Sequence, residues 1–156
     1  MWQRGFTLVE LVVTVAIVAL LASVAMPLVE VSVQRSKEQD LRYALRQIRE
    51  AIDAYKLAAD EGRIARTLGS TGYPKTLVSL AEGVEDIKSP TRKKIYFLRS
   101  IPRDVFFREP SVKPELTWGL RSYASSPDDP RSGDDVYDVY SKALGSGLNG
   151  IEYRKW

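Results

Sequence analysis

The sequence predicts an α+β protein in which a long N-terminal helix, whose lower half is apolar enough to cross a membrane, packs on a small antiparallel β-sheet. Three observations predict this class. Residues 11–29 carry no formal charge, and residues 41–55 repeat apolar side chains at helical spacing. Beyond residue 90, three short segments are rich in aromatic and β-branched residues, which is typical of strands.

The overall composition excludes several classes of protein. The chain has 156 residues, 44% of them hydrophobic, and a net charge of +3, which excludes a polytopic membrane protein, a collagen and a disordered polyelectrolyte. It contains no Cys and no His, so a disulfide scaffold, a thiolate metal site and the commonest general base are absent. With no nucleophile elbow or phosphate loop either, the sequence does not predict an enzyme.

The first 29 residues predict a single membrane span. Arg4 and Glu10 are their only charged side chains. A helix over Phe6–Val29 would be about 36 Å long, enough for a hydrocarbon core of ~30 Å. Within it, Thr14 and Ser23 can each form a hydrogen bond to a carbonyl of their own helix.

Glu10 discriminates among the interpretations of this span. A carboxylate costs roughly 2.5–3.5 kcal/mol at the centre of a span and less towards its ends. Neither a secretory signal cut after residues 23–25 nor a plain signal anchor needs one, and the chain has little apolar mass to cover a core helix. Either Glu10 lies near the headgroups, or a cation neutralises it within the membrane or an assembly. No Lys or Arg follows until Arg35, so a free α-amino group just upstream would serve.

The string Gly5-Phe6-Thr7-Leu8-Val9-Glu10 resembles the type IV prepilin signal. The resemblance implies that a prepilin peptidase removes residues 1–5 as a leader by cutting after Gly5. It also implies N-methylation of the new terminus, Phe6, and pairing of Glu10 with the terminal amine of a neighbouring subunit in a filament. The fold it implies is type IV pilin-like, with residues 6–29 as transmembrane and filament-core helix.

Residues 30–62 are expected to continue the helix as a soluble stalk. Pro27 falls where type IV pilins carry a helix-bending proline, and it removes one backbone donor. Gly62 is the predicted stop. The stalk carries an apolar stripe at helical period, made of Leu41, Leu45, Ile48, Ile52 and Tyr55 and widened by Ala44, Ala51, Ala58 and Ala59.

Residues 63–156 are expected to form a globular head. A short helix is predicted over Lys75–Ala81. A three- or four-stranded antiparallel sheet is predicted from the segments Ile95–Ile101, Trp118–Ala124 and Val136–Ser141. In the last of these, alternation places on one side Val136, Asp138 and Tyr140 and on the other Tyr137, Val139 and Ser141.

Landmarks in the head resemble the G-type (major) pseudopilins of type II secretion. They are Tyr73-Pro74, Ile101-Pro102-Arg103-Asp104, Tyr137-Asp138-Val139-Tyr140-Ser141 and a terminal Trp. The resemblance implies a structural subunit of a periplasmic pseudopilus that drives protein secretion. Its implied partners are further copies of itself, the minor pseudopilins and the assembly platform of the inner membrane.

The implied location is the bacterial inner membrane, crossed once, with the head in the periplasm. Arg35, Lys37 and further cations follow the span, so the positive-inside rule alone predicts the opposite orientation. Two alternatives remain open. One is a major or minor type IV pilin serving adhesion, motility or DNA uptake, although the lack of Cys favours secretion. The other, which has less support, is a secreted enzyme behind an ordinary signal peptide.

Calcium is the cofactor to weigh, because G-type pseudopilins typically hold a calcium ion in the loop after an Asp-x-Tyr/Trp-Ser motif. Here that loop is Lys142–Gly150, whose candidate side-chain ligands are Ser146 and Asn149. Calcium takes six to eight oxygens, several of them from carboxylates. The acids lie upstream instead, at Asp128, Asp129, Asp134, Asp135 and Asp138. A relocated calcium loop and a solvated acidic turn both stay open, and no metal site is predicted.

The basic run Arg92-Lys93-Lys94 lies beside Tyr96 and Phe97, a combination that can indicate nucleic-acid binding. Acidic residues at 82, 85 and 86 lie close by, and the excess of positive charge over the whole chain is small. A solvated loop is the favoured interpretation, and no nucleic-acid partner is expected.

Overall fold

The computed structural model describes residues 6–156, apart from the side chains of residues 24, 25 and 27. Its main element, α1, is a helix over Leu8–Asp60. The helix continues through position 27, so Pro27 does not end it, and the bend expected there stays a prediction. The chain divides into two compact units, Met1–Ser36 and Lys37–Trp156.

In the first unit, the side chains described between residues 6 and 33 are exposed on every side of the helix. By length and composition, α1 can cross a membrane. Two polar side chains are satisfied locally: Thr14 Oγ1 donates to Leu11 O at 2.8 Å and Ser23 Oγ donates to Leu20 O at 2.7 Å. The prediction for both hydroxyls is confirmed.

In the second unit, the predicted stripe forms the centre of the core. Leu41, Leu45, Ile48 and Ile52 are fully buried, and the four alanines beside them are buried as well. The stripe packs against residues from the rest of the head, namely Leu77, Leu80, Trp118, Val136, Val139 and Tyr153. Burying one such aliphatic side chain contributes about 1.5–3 kcal/mol, so this stripe is the main attachment of the head to its helix.

The C-terminus of α1 is closed by a glycine. Gly62 has a φ of 70°, in the left-handed region that favours glycine. Its N–H donates to Ala59 O at 3.0 Å, and the N–H of Arg63 donates to Ala58 O at 2.9 Å. These two bonds form a Schellman motif, which satisfies the last carbonyls of the helix. Gly62 is therefore the stop that the sequence predicts.

The head contains two separate antiparallel strand pairs. After a short helix, α2 over Val78–Glu82, strand β1 (Val84–Glu85) pairs with β2 (Lys94–Ile95). Strand β3 (Trp118–Arg121) pairs with β4 (Asp138–Ser141), with Trp118 opposite Ser141 and Gly119 opposite Tyr140. Turns of 3₁₀ helix occupy Pro114–Leu116 and Tyr153–Lys155. The sheet is antiparallel and small as predicted, but the single three- or four-stranded sheet is wrong.

Hydrogen bonds to other segments explain why two strands end earlier than the sequence predicts. Beyond Ile95, the N–H groups of Phe97 and Leu98 both donate to Leu80 O, at 3.0 and 2.9 Å, so this segment closes on α2 instead of extending β2. At the end of β3, Ser122 N donates to Arg131 O at 2.9 Å, so the predicted continuation to Ala124 is wrong.

The start of the last strand also differs. Val136 N donates to Pro74 O at 2.8 Å, so pairing begins at Asp138. Within β4 the predicted alternation is correct, since Val139 and Ser141 are buried and Asp138 and Tyr140 are half-buried. Val136 itself is buried in the same core as Val139, so its predicted orientation with Asp138 and Tyr140 is wrong.

Candidate functional site

The start of α1 is organised by a reciprocal hydrogen-bonded pair, Thr7 and Glu10. Glu10 Oε2 accepts hydrogen bonds from Thr7 N at 2.9 Å and from Thr7 Oγ1 at 3.0 Å. In return, Glu10 N donates to Thr7 Oγ1 at 3.2 Å. This is a capping box: Thr7 is the N-cap and Glu10 is the third helical residue. The pair satisfies backbone donors that the first turn of a helix leaves open.

The capping box also changes the environment of the Glu10 carboxylate. An ionised carboxylate in an apolar medium is costly unless donors surround it. Both bonds from Thr7 end on Oε2, and a carboxylate accepts about four hydrogen bonds in total. Glu10 is exposed, so a further donor can reach the carboxylate while Thr7 stays in place.

The other sequence-predicted residues differ in how far they lie from this pair along the chain. Phe6 has an exposed fraction of 85% and precedes the N-cap Thr7, so it lies just outside α1. Gly5, the predicted cleavage residue, lies outside the described residues. Pro27 lies within α1, far along the helix from this pair. The sequence reasoning overlooked Thr7, although the pattern Thr-x-x-Glu before an apolar run is a readable capping signature.

Three of the five acidic residues considered for a relocated calcium loop have protein partners, namely Asp129, Asp135 and Asp138. Asp135 accepts hydrogen bonds from Tyr123 N at 2.9 Å and from the Thr71 hydroxyl. Asp129 pairs with Arg131 at 2.6 Å. Among residues 6–156, no three acidic side chains come together as a group that could hold a metal ion.

Asp138, the last of these acids, belongs to a cluster around Arg49. The Arg49 guanidinium donates to Asp138 Oδ1 at 2.8 Å, to Val139 O at 3.1 Å and to Trp156 O at 2.7 Å. Arg121 approaches the other carboxylate oxygen at 3.3 Å. The cluster links α1 to β4 and to the end of the head, so Asp138 has a structural role.

The basic run has acidic and carbonyl partners nearby, as a solvated loop would. Arg92 lies 3.8 Å from a carboxylate oxygen of Glu85, and Lys94 Nζ donates to Glu82 O at 3.2 Å. At the base of this loop, the Asp86 carboxylate accepts two hydrogen bonds from Arg63, at 3.0 and 2.7 Å. Two of the three basic residues of the run therefore have a carboxylate or a carbonyl oxygen beside them.

Known proteins resemble both parts of the chain. Residues 3–26 match the family model described as the prokaryotic N-terminal methylation motif. This segment contains Phe6, Thr7 and Glu10, so the capping box of α1 lies inside the matched motif.

The relatives differ in how much of the chain they match. The type II secretion system core protein G of Dickeya chrysanthemi is 28% identical over 156 residues, which cover 95% of each chain. Type IV major fimbrial protein FimA of Dichelobacter nodosus is 38% identical over 61 residues, 39% of each chain. A second FimA sequence of that organism is 37% identical over 81 residues, 47% of this chain and 51% of the relative. No solved structure matches.

The prediction of a pilin-like protein similar to a G-type pseudopilin is confirmed. The chain has a type IV pilin-like fold, it carries the N-terminal methylation motif, and its similarity to a type II secretion core protein extends through both helix and head.

Proposed function

We propose that this chain is a structural subunit of a pseudopilus that drives type II protein secretion, and that it is not an enzyme. The observation that carries the proposal is the extent of similarity. Core protein G matches over 95% of both chains, whereas the fimbrial proteins match 39% and 47% of this chain. A shared N-terminal motif alone would favour neither system, whereas similarity through the head favours the pseudopilus.

In this proposal, the subunit matures by loss of residues 1–5. A prepilin peptidase cuts after Gly5, and the freed amine of Phe6 is N-methylated. Glu10 then pairs with the terminal amine of a neighbouring subunit. Two opposite charges in a low-dielectric medium are tolerable as a pair and costly apart, so a misaligned subunit is disfavoured. Before assembly, the donors of Thr7 support the carboxylate in the membrane.

The proposed location is the bacterial inner membrane, with residues 6–29 spanning it once and the head in the periplasm. The apolar side chains there are exposed all round, so lipid covers them in the free subunit and neighbouring helices cover them in the filament. Self-association through α1 builds the filament, and the minor pseudopilins and the inner-membrane platform assist it.

The N-terminus of the mature protein tests the maturation step. Mass spectrometry of the protein purified from membranes is expected to find a methylated N-terminus at Phe6, and Gly5→Leu is expected to leave the precursor uncut. Ser132→Leu, at an exposed loop position of the head, is the control for expression. A mature chain that starts at Met26, or an uncut wild-type chain, would contradict the proposal.

The role of Glu10 is tested by assembly. Glu10→Ala is expected to be inserted and cleaved but to yield few filaments, because the terminal amine of a neighbour then lacks its carboxylate. Glu30→Ala, at another acidic residue of α1, is the matched control and should assemble normally. Filaments are measured by shearing and sedimentation; wild-type amounts from Glu10→Ala would remove Glu10 from this role.

Orientation is tested with a single introduced thiol, which is clean because the natural chain has no Cys. Leu144 has an exposed fraction of 99%, so Leu144→Cys is expected to react with a membrane-impermeant maleimide in spheroplasts. Reaction only after the membrane is opened would reverse the assigned orientation.

A type IV pilus subunit is the second candidate, favoured by 38% and 37% identity to fimbrial proteins over 39% and 47% of this chain. Deletion of the gene separates the two. Loss of secreted proteins with surface fibres unchanged supports the pseudopilus, and the reverse outcome supports the pilus.

A further inference from the structure

The loop of residues 142–150 is held by its own backbone. Gly147 N donates to Ile151 O and Gly150 N donates to Gly147 O, both at 2.8 Å, and Tyr153 N donates to Gly145 O at 3.2 Å. The Asn149 side chain contributes as well, since its Oδ1 accepts from Ile151 N at 3.1 Å.

These bonds already use several of the oxygens that a calcium ion would draw on. Calcium takes six to eight oxygen ligands, and its affinity rises with the number of charged ligands among them. The loop has Ser146 and Asn149 as its only side-chain oxygens, and that of Asn149 is already an acceptor. The carbonyls of residues 145, 147 and 151 accept hydrogen bonds too. The residues present do not fit the calcium site that the resemblance to G-type pseudopilins implies.

A carboxylate from α1 reaches the loop instead. Glu38 has an exposed fraction of 6%, and its Oε1 accepts hydrogen bonds from Leu148 N at 2.8 Å and from the Tyr153 hydroxyl at 3.1 Å. Hydrogen bonds to an ionised acceptor are roughly twice as strong as neutral ones. One carboxylate therefore fastens the tip of the loop and the segment after it to the helix.

We propose that Glu38 organises the C-terminal loop without a metal ion, so that this head folds independently of calcium. A calcium ion draws loop oxygens around a positive centre. Glu38 does the converse, because it draws the donors Leu148 N–H and Tyr153 O–H around a negative one. The comparison with calcium-holding pseudopilins rests on the proposed function, whereas the contacts of Glu38 do not depend on it.

The first test is thermal unfolding of the full chain in detergent micelles. Tryptophan fluorescence monitors unfolding, once in calcium chloride and once in EGTA. The expected melting temperature is the same in both. A clearly higher melting temperature in calcium chloride than in EGTA would overturn the proposal. Magnesium chloride serves as the control for a general effect of divalent salt.

The second test measures hydrogen exchange of the loop amides. Glu38→Ala is expected to speed exchange at Leu148 roughly tenfold, since the amide loses a charged acceptor. Glu38→Gln keeps an acceptor oxygen and should give a smaller increase. Tyr153→Phe removes one donor while leaving the carboxylate, so it keeps the test informative if Glu38→Ala fails to fold.

Glu50→Ala, at an exposed acidic residue of the same helix, is the matched control and should leave exchange of the loop unchanged. Unchanged exchange in Glu38→Ala would contradict the role of Glu38. These outcomes separate from those of the proposed function: failure of the Gly5 and Glu10 experiments would leave the loop results standing, and stabilisation by calcium would leave maturation and assembly untouched.

Discussion

The two parts of α1 use apolar residues in opposite ways. Residues 11–29 carry no charge on any side of the helix, and every described side chain there is exposed. Residues 37–60 are apolar along one stripe, which the head buries, and mostly polar or charged along the rest. A helix covered on one side by protein has a periodic sequence, and one that needs cover on all sides does not. The pattern therefore tells what each part of the helix must contact.

The largest effect is expected when a side chain is truncated to alanine in each part of α1. Ile48→Ala is expected to destabilise the head by about 2–5 kcal/mol, because it leaves a cavity in a fully buried position. Val18→Ala, at an exposed position, should leave unfolding of the head unchanged. Both are measured by denaturant unfolding of the full chain in detergent. Equal losses of stability would contradict the contrast.

A second test concerns the polar side of the stalk. Arg49→Gln is expected to cost about 1–3 kcal/mol of stability, because Asp138 and two carbonyl oxygens lose a charged donor. Arg46→Gln, at an exposed arginine of the same helix, should lie within about 0.5 kcal/mol of wild type. Urea midpoints compare the two, and a matching effect at both positions would show that Arg49 acts through general charge.

The two parts of α1 should also respond differently to acid. Hydrogen bonds from the Arg63 guanidinium hold the pKa of the Asp86 carboxyl below its ordinary value. A carboxyl with a lowered pKa in the folded state stabilises the fold above its unfolded pKa, and this contribution is lost as the pH falls through the folded pKa. Residues 11–29 contain no ionisable side chain, so their helix should persist in acid.

Circular dichroism and fluorescence below pH 4 measure this difference. Arg63→Gln should bring the pKa of Asp86 towards its ordinary value and so weaken the dependence of head stability on pH. Arg92→Gln, at an exposed arginine near Glu85, is the control. An identical acid transition in Arg63→Gln and wild type would contradict the assigned cause.

The smallest effect is expected for the hydroxyls of the apolar segment. Thr14→Val and Ser23→Ala together should change assembly by less than about 0.5 kcal/mol, because both hydroxyls bond to carbonyls of their own helix. Sedimented filaments measure this. A loss comparable to that of Glu10→Ala would show that the hydroxyls bond to neighbouring helices instead.

The sequence predicted the features that depend on local pattern. Spacing alone identified the stripe from Leu41 to Ile52, and alternation identified most of β4. The Thr-x-x-Glu pattern at Thr7 was equally local and could have been found. The motif around Thr7, which ends at Glu10, was identified because Glu10 is an unexpected charge beside an apolar run.

Features that depend on distant partners had no such pattern. Glu38 is one of several charged residues on the stalk, and only the fold brings Leu148 and Tyr153 to it. Likewise, Phe97 and Leu98 are strand-forming residues whose amides are taken by Leu80 O, a tertiary contact that propensity does not contain. These contacts join residues that are far apart in the chain, and only the structure reveals them.

Gly119 sets the pairing of β3 with β4. A Cβ atom at this position would lie 2.2 Å from the ring of Tyr140, so the ring occupies the space of the missing side chain. With only two strands in the pair, no third strand fixes their alignment. A slip by one residue would exchange the two faces of β4 and would also set Trp118 or Leu120 under that ring. The absence of one methyl group thus decides which side chains of β4 enter the core.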